Sequence, residues 1–239
     1  MEDQSAVTLW FMIQLLGNYE YGLVDIIYWL IHIKIDDIGK IPAKKYKNNL
    51  NLIGRLCVPR TITSIGNAAF TMCARLTSVE IPNSVTDIGG SAFYGCIGLT
   101  SVAIPDSVTS IGECAFCKCR GLTSVTIPDS VESIGERAFT ACCRLTSVTI
   151  PSSVTSIGEY TFTHCSRLTS VTIPSSVTKI GDCAFSVCCG LTSVTIPEGV
   201  EFIGEWAFDG CSGLTSVSIP KHTIISYRSF PKGCRIIRR

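Results

Sequence analysis

Residues 53–213 are one 23-residue unit written seven times without an insertion, and an eighth copy starts at Leu214 and then decays. Leu76, Leu99, Leu122, Leu145, Leu168, Leu191 and Leu214 open successive copies. A fixed period in the twenties restricts such a chain to a stacked repeat solenoid, because each unit can bury its apolar side only against its neighbours. Composition agrees: 46% of residues are hydrophobic and 16% charged, the reverse of what intrinsic disorder requires. A net charge of +1 offers no strongly basic face to neutralise phosphates, so nucleic acid is not expected as a partner.

With the opening Leu as position 1, apolar residues fall at positions 1, 4 and 6, as in Leu122, Val125 and Ile127. Positions 4 and 6 alternate with small polar residues, the period of a half-buried strand. Pro at position 7 cannot donate to a ladder and marks a corner, as at Pro82, Pro105 and Pro128. Positions 10 and 13, such as Val131 and Ile134, then point inward from a second short extended piece. Gly at position 14, as in Gly89, Gly112 and Gly158, suits a turn that needs a permissive backbone. Positions 17, 18 and 21 are Ala, Phe and Cys in most copies.

The pattern L-x-x-V-x-I-P-x-S-V-x-x-I-G-x-x-A-F-x-x-C resembles the BspA-like class of leucine-rich repeats over residues 53–213. The resemblance implies a right-handed leucine-rich-repeat coil, with parallel strands on one face and short turns or extended segments on the other. It also implies a surface or secreted protein that adheres to host or matrix proteins. The family has no catalytic residues to carry over.

The position-18 column runs Phe70, Phe93, Phe116, Phe139, Phe162, Phe185 and Phe208, and is expected to stack inside the coil at the ~4.8 Å spacing of strands. Of 14 cysteines, Cys73, Cys96, Cys119, Cys142, Cys165, Cys188, Cys211 and Cys234 fall at position 21. Rungs ~4.8 Å apart hold successive Cβ atoms slightly beyond the ~3.5–4.5 Å that a disulfide prefers, which favours free, buried thiols. Cys57, Cys114, Cys117, Cys143, Cys183 and Cys189 lie off that column. The Cys114–Cys117–Cys119 spacing resembles a thiolate cluster. However, it is inherited from the repeat, and Cys117 is expected to face outward, so no metal site is assigned.

The outward strand positions 3 and 5 form a ladder of small hydroxyls, such as Ser124/Thr126 and Ser147/Thr149, without the Trp, Tyr and Arg of binding hot spots. This face is read as solvated, with weak avid contact or ordered-water (ice) binding as the functional alternatives. Distinctive side chains gather elsewhere. Tyr94, Arg137, Tyr160, His164 and Trp206 form the candidate binding surface, near a carboxylate column of Glu113, Glu136, Glu159, Asp182 and Glu205. Arg120, Arg144 and Arg167 are expected to neutralise these carboxylates in interleaved salt bridges.

Residues 1–52 do not repeat cleanly and read as an apolar N-terminal cap, with a possible decayed repeat at 26–39 and a Lys-rich loop at 40–51. Membrane association of this segment is the alternative. Its apolar runs are too short to span a bilayer, and the acidic Glu2 and Asp3 do not suit a secretory signal. Residues 214–239 read as a partial eighth repeat and a basic, irregular C-terminal cap, in which Phe230 falls one place early and Pro231 takes its column. The histidines, His32, His164 and His222, stand at unrelated repeat positions, and no Ser or Thr pairs with a distinctive base. The expected protein is therefore a monomeric, non-enzymatic protein-binding module without a cofactor. Cell-surface or extracellular adhesion leads on resemblance. A cytoplasmic interaction scaffold is the alternative, favoured by the many thiols and the unrecognisable signal peptide.

Overall fold

The computed structural model describes residues 40–41, 54–58 and 60–239, and they form a β-solenoid with no helix among them. Each rung contributes two strands. The longer one spans positions 3–5, as in Ser78–Glu80, Ser101–Ala103 and Ser124–Thr126, and pairs in parallel with its equivalent one rung away. The shorter one spans positions 12–13, as in Asp87–Ile88, Ser110–Ile111 and Ser133–Ile134, and forms a second parallel column. Equivalent positions face one another, often with the same residue, as when Val79 pairs with Val102 and Val102 with Val125. The rung opened by Leu191 forms no long strand, and a single bridge from Thr195 to Ser218 carries the register across it.

The third side of the coil is built from overlapping turns over positions 14–21. Here the backbone N–H groups alternate in direction. Those of Ala92, Tyr94 and Cys96 close turns onto the carbonyls of Gly89, Ser91 and Phe93, while those of Ser91, Phe93 and Gly95 donate to Glu113, Ala115 and Cys117 on the next rung. The alternation costs the chain a left-handed residue twice per rung. Position 16 has positive φ at Ala68, Ser91, Cys114, Arg137, Tyr160, Cys183 and Trp206, and position 20 at residues such as Met72, Lys118 and His164. The conserved-looking Gly at position 14 therefore has a different reason from the permissive turn expected of it. A Cβ on Gly112 would come within 2.5 Å of the Gly90 nitrogen, and one on Gly135 within 2.5 Å of the Glu113 nitrogen. Glycine stands there because two rungs' backbones touch, not because φ is unusual.

Inside, Phe93, Phe116, Phe139, Phe162, Phe185 and Phe208 are fully buried. Their rings stack in parallel, with centroids 5.4 Å apart between Phe116 and Phe139 and between Phe139 and Phe162. The stack extends further than expected. Phe230 lies 5.3 Å from Phe208 at an interplanar angle of 1°, so Phe230, and not Pro231, continues the spine. The last rung loses one residue before Ile224, which pairs with Phe202, and everything behind that corner moves up by one. Arg228 then takes the left-handed position 16 and Ser229 position 17. The stretch read as an irregular cap continues the coil instead, since Arg235–Arg238 pairs in parallel with Ser216–Ile219. Cys234 directly precedes the residue paired with Ser216 and is only half-buried, so it leaves the cysteine column.

Polar side chains stitch the rungs together. Thr100, Thr123 and Thr146 at position 2 each donate both N–H and Oγ1 to the same carbonyl of the preceding rung. Ser107, Ser130, Ser153 and Ser176 at position 9 donate to Val85, Val108, Val131 and Val154. Cys96, Cys119, Cys142, Cys165, Cys188 and Cys211 each donate a thiol hydrogen to the carbonyl of the Phe one rung back, as Cys119 Sγ does to Phe93 at 3.1 Å. The expected cap at 1–52 lies outside the described residues, except that Lys40–Ile41, expected as loop, pairs with Ser64–Ile65 as a two-residue strand.

The spine makes a strong prediction. Phe139→Asp introduces a charge between two buried rings at a cost of several kcal/mol, and loss of the cooperative thermal transition is the expected result. An unchanged melting temperature would exclude the internal column. Glycine packing makes a finer one. Gly112→Ala should destabilise the fold by roughly 1–3 kcal/mol through backbone overlap. Gly158→Ala should stay within about 1 kcal/mol of the parent, since its nearest neighbour is the Thr161 hydroxyl at 3.4 Å. Urea denaturation of the two variants measures the contrast.

Candidate binding surface

Two faces of the coil could meet a partner. The strand face presents Ser124/Thr126, Ser147/Thr149 and Ser170/Thr172, all exposed in their strands. These hydroxyls make no side-chain hydrogen bond among the described residues, and Arg enters the strand column only at its ends, at Arg55 and in Arg235–Arg238, so the middle of the face is chemically flat.

The left-handed column is different. A non-glycine residue with positive φ costs roughly 1–2 kcal/mol, yet position 16 holds Arg137, Tyr160 and Trp206 in place of glycine. Their amides are committed to the next rung, with Arg137 donating to Glu159, Tyr160 to Asp182 and Trp206 to Tyr227, and that fixes each Cα on the outer edge. Arg137 lies over the Tyr160 ring, 4.6 Å from its centroid, and pairs with Glu136 at 3.3 Å and Glu113 at 3.7 Å. The guanidinium is thus held flat by a ring on one rung and by carboxylates on two others. Tyr160 also meets Cys183, which raises its hydroxyl above the ordinary phenol range and keeps it a neutral donor.

The sequence-derived surface is therefore brought together only in part. Arg137 and Tyr160 form one unit. Trp206 belongs to a second unit with Tyr227, whose ring it meets edge-on at 6.2 Å, while Arg228 lies 5.5 Å from the centre of the Tyr227 ring. Tyr94, at position 19, is covered by Lys118 at 5.0 Å. His164 is exposed on the separate position-20 column. Tyr227 and Arg228 were not among the expected site residues, because counting in 23s misplaces them by one. Aligning Phe230 with Phe208 would have set Arg228 beside Trp206.

The expected interleaved salt bridges reduce to Arg137. Among the described residues Arg120, Arg144 and Arg167 form no ion pair. The carboxylate of Asp182 instead accepts the Glu205 amide at 2.8 Å, repairing a backbone donor on the next rung.

The cysteines are all free thiols. Cys117, expected to face outward, is buried, because the turn alternation aims position 19 back against the coil. At the same position Thr71, Thr140 and Thr163 donate to the position-16 carbonyls of the next rung, Ser91, Tyr160 and Cys183. Burial pushes Cys119 and Cys165 up to about 12 and Cys142 well above the usual thiol range. Among the described residues no group of three or more His, Cys, Asp or Glu side chains is placed to hold a metal ion.

The family model for the BspA-type leucine-rich repeat region matches residues 39–166 and 132–238, in six copies. Solved structures with the same fold include a leucine-rich repeat protein from Bacteroides ovatus, 28% identical, with a TM-score of 0.66, covering 84% of this chain and 59% of that one. This chain thus spans about three fifths of the length of that protein. A leucine-rich repeat protein from T. pallidum is 30% identical over 64% of this chain and 71% of its own, with a TM-score of 0.61. A leucine-rich cell surface protein from Faecalibacterium prausnitzii is 30% identical over 78% of this chain and 69% of its own, with a TM-score of 0.55. No curated protein matches the chain.

The thiol column predicts an alkaline limit to stability. Unfolded thiols ionise near pH 8.5, whereas burial keeps Cys119, Cys142 and Cys165 neutral in the fold, and Cys96 and Cys188 are raised by their thiol neighbours and burial, so above that pH the unfolded state releases protons first. Stability should be flat below about pH 8 and then fall by about 1.4 kcal/mol per pH unit for each of these five thiols. Urea midpoints at pH 8, 9.5 and 10.5 measure the slope, and Cys142→Ala should reduce it by one thiol's share.

Proposed function

The chain belongs to the BspA-type leucine-rich repeat family, and on that premise we propose that it is a non-enzymatic module that binds protein ligands, with adhesion at a cell surface as its role. The binding surface is the left-handed column and its neighbours: Arg137 with Tyr160, Trp206 with Tyr227 and Arg228, and, more peripherally, Tyr94 and His164. The observation that carries this reading is the Arg137–Tyr160 pair. Bulky hot-spot residues occupy strained backbone positions where glycine would be cheaper, on the outside of a coil that is otherwise uniform. Arg137 and Tyr160 are half-buried against each other, and Trp206 is exposed. The description of the F. prausnitzii relative as a cell surface protein supports the location.

A second reading, an intracellular interaction scaffold, draws on the free thiols, because unpaired cysteines are uncommon in oxidising compartments. Protease protection on intact cells separates the two.

Binding to a panel of matrix and surface proteins tests the surface itself. Arg137→Ala and Tyr160→Ala should each weaken a positive interaction about tenfold, equivalent to ~1.4 kcal/mol, while Ser124→Ala on the strand face should leave it unchanged. Deleting two whole units, residues 122–167, should preserve the coil, because neighbouring rungs are nearly interchangeable. A strand-face variant that abolishes binding while the column variants do not would move the site to the hydroxyl ladder.

A further inference from the structure

One turn on the third side has a cysteine at each end. The Cys117 amide donates to the Cys114 carbonyl at 3.0 Å, closing a four-residue turn. Such a turn holds its first and last Cα atoms within ~7 Å, and a disulfide requires ~4.4–6.8 Å. The same i, i+3 turn recurs on the neighbouring rungs, but with ends such as Ser91 and Tyr94, Arg137 and Thr140, Tyr160 and Thr163, or Cys183 and Ser186. Hydrogen bonding singles out this rung as well. Cys117 does not make the clamp onto the next rung that Thr71, Thr140 and Thr163 make. Burial first, and the neighbouring Cys114 second, raise its thiol to about 11. Exposure is graded in a useful order, with Cys114 half-exposed in a left-handed conformation and Cys117 buried behind it. The column thiols of Cys96, Cys119, Cys142, Cys165, Cys188 and Cys211, by contrast, are each committed to a Phe carbonyl.

We propose that Cys114 and Cys117 form a reversible intrachain disulfide, a redox-active pair on the rung next to Arg137. The oxidant is a small disulfide such as oxidised glutathione. The Cys114 thiolate attacks one glutathione sulfur, the glutathione S–S bond breaks, and one reduced glutathione leaves. The Cys117 thiol then gives up its proton, attacks Cys114 Sγ in the mixed disulfide and expels the second glutathione. The two cysteines together lose two electrons and two protons, and oxidised glutathione becomes two reduced molecules. This inference does not depend on which partner the surface binds.

The test equilibrates the intact protein in glutathione buffers from fully reduced to fully oxidised, quenches with acid, alkylates and maps peptides by mass. The expected result is a Cys114–Cys117 disulfide that rises from absent to near complete across the series and is reversed by dithiothreitol. Cys117→Ser should leave glutathione trapped on Cys114, and Cys114→Ser should leave Cys117 unmodified. Thermal melts confirm that the variants are folded, and the wild-type map stands without them. The proposal is overturned if both cysteines remain fully alkylatable in the oxidised buffer. It is also overturned if glutathione persists on Cys114 in the wild type, or if either cysteine pairs with Cys119, Cys142 or Cys143.

Discussion

Every layer of this molecule depends on carbonyl groups that accept from an adjacent rung. Backbone amides reach across on all three sides of the coil, and at three positions of the repeat a short side chain also donates to a carbonyl of the preceding rung: Thr at position 2, Ser at position 9, Cys at position 21. An unsatisfied buried carbonyl costs about 1–3 kcal/mol. These three polar positions are thus explained by backbone satisfaction, as the apolar ones are by the core, whereas the outward Ser and Thr of the long strand are not. The Phe stack follows from the same contacts. Once identical rungs are held in register by their carbonyls, identical side chains have no choice but to lie parallel.

Much of this was legible in the amino acids. The period implies the stack, alternation at positions 4 and 6 implies the long strand, and the Phe and Cys columns imply the interior that the protein has. What failed to be legible depends on where slack is absorbed. Phe230 looks displaced when residues are counted, yet the missing residue is taken up at the corner before Ile224, because a turn yields more easily than a ring stack. Gly112 looks like a turn glycine, and only the neighbouring backbone shows that space, not φ, excludes a side chain. Cys117 looks variable and therefore external, but it turns inward, as Thr163 does at the same position.

The outer edge divides labour between its columns. Position 15 supplies carboxylates, one of which repairs a backbone amide and two of which hold Arg137. Position 16 supplies the large side chains. These two columns make the exterior aperiodic, while the interior stays uniform enough that one rung can follow another without adjustment. Strain at position 16 is tolerated because three neighbouring backbone bonds fix each turn, so a side chain there changes the surface without reaching the core.

The spacing of the rungs has a consequence for geometry at a distance. Outward groups are repeated at a fixed pitch of ~5 Å along the axis, set by strand separation and not by any ligand. A rigid body laid along that axis stays commensurate with every rung only if its own repeat is a whole multiple of the pitch. Otherwise it drifts out of phase within a few steps, and only a pliable chain can keep touching. The coil therefore acts as a graduated scale, and the marks that break its monotony, at Arg137 and Trp206, are where a reading can begin.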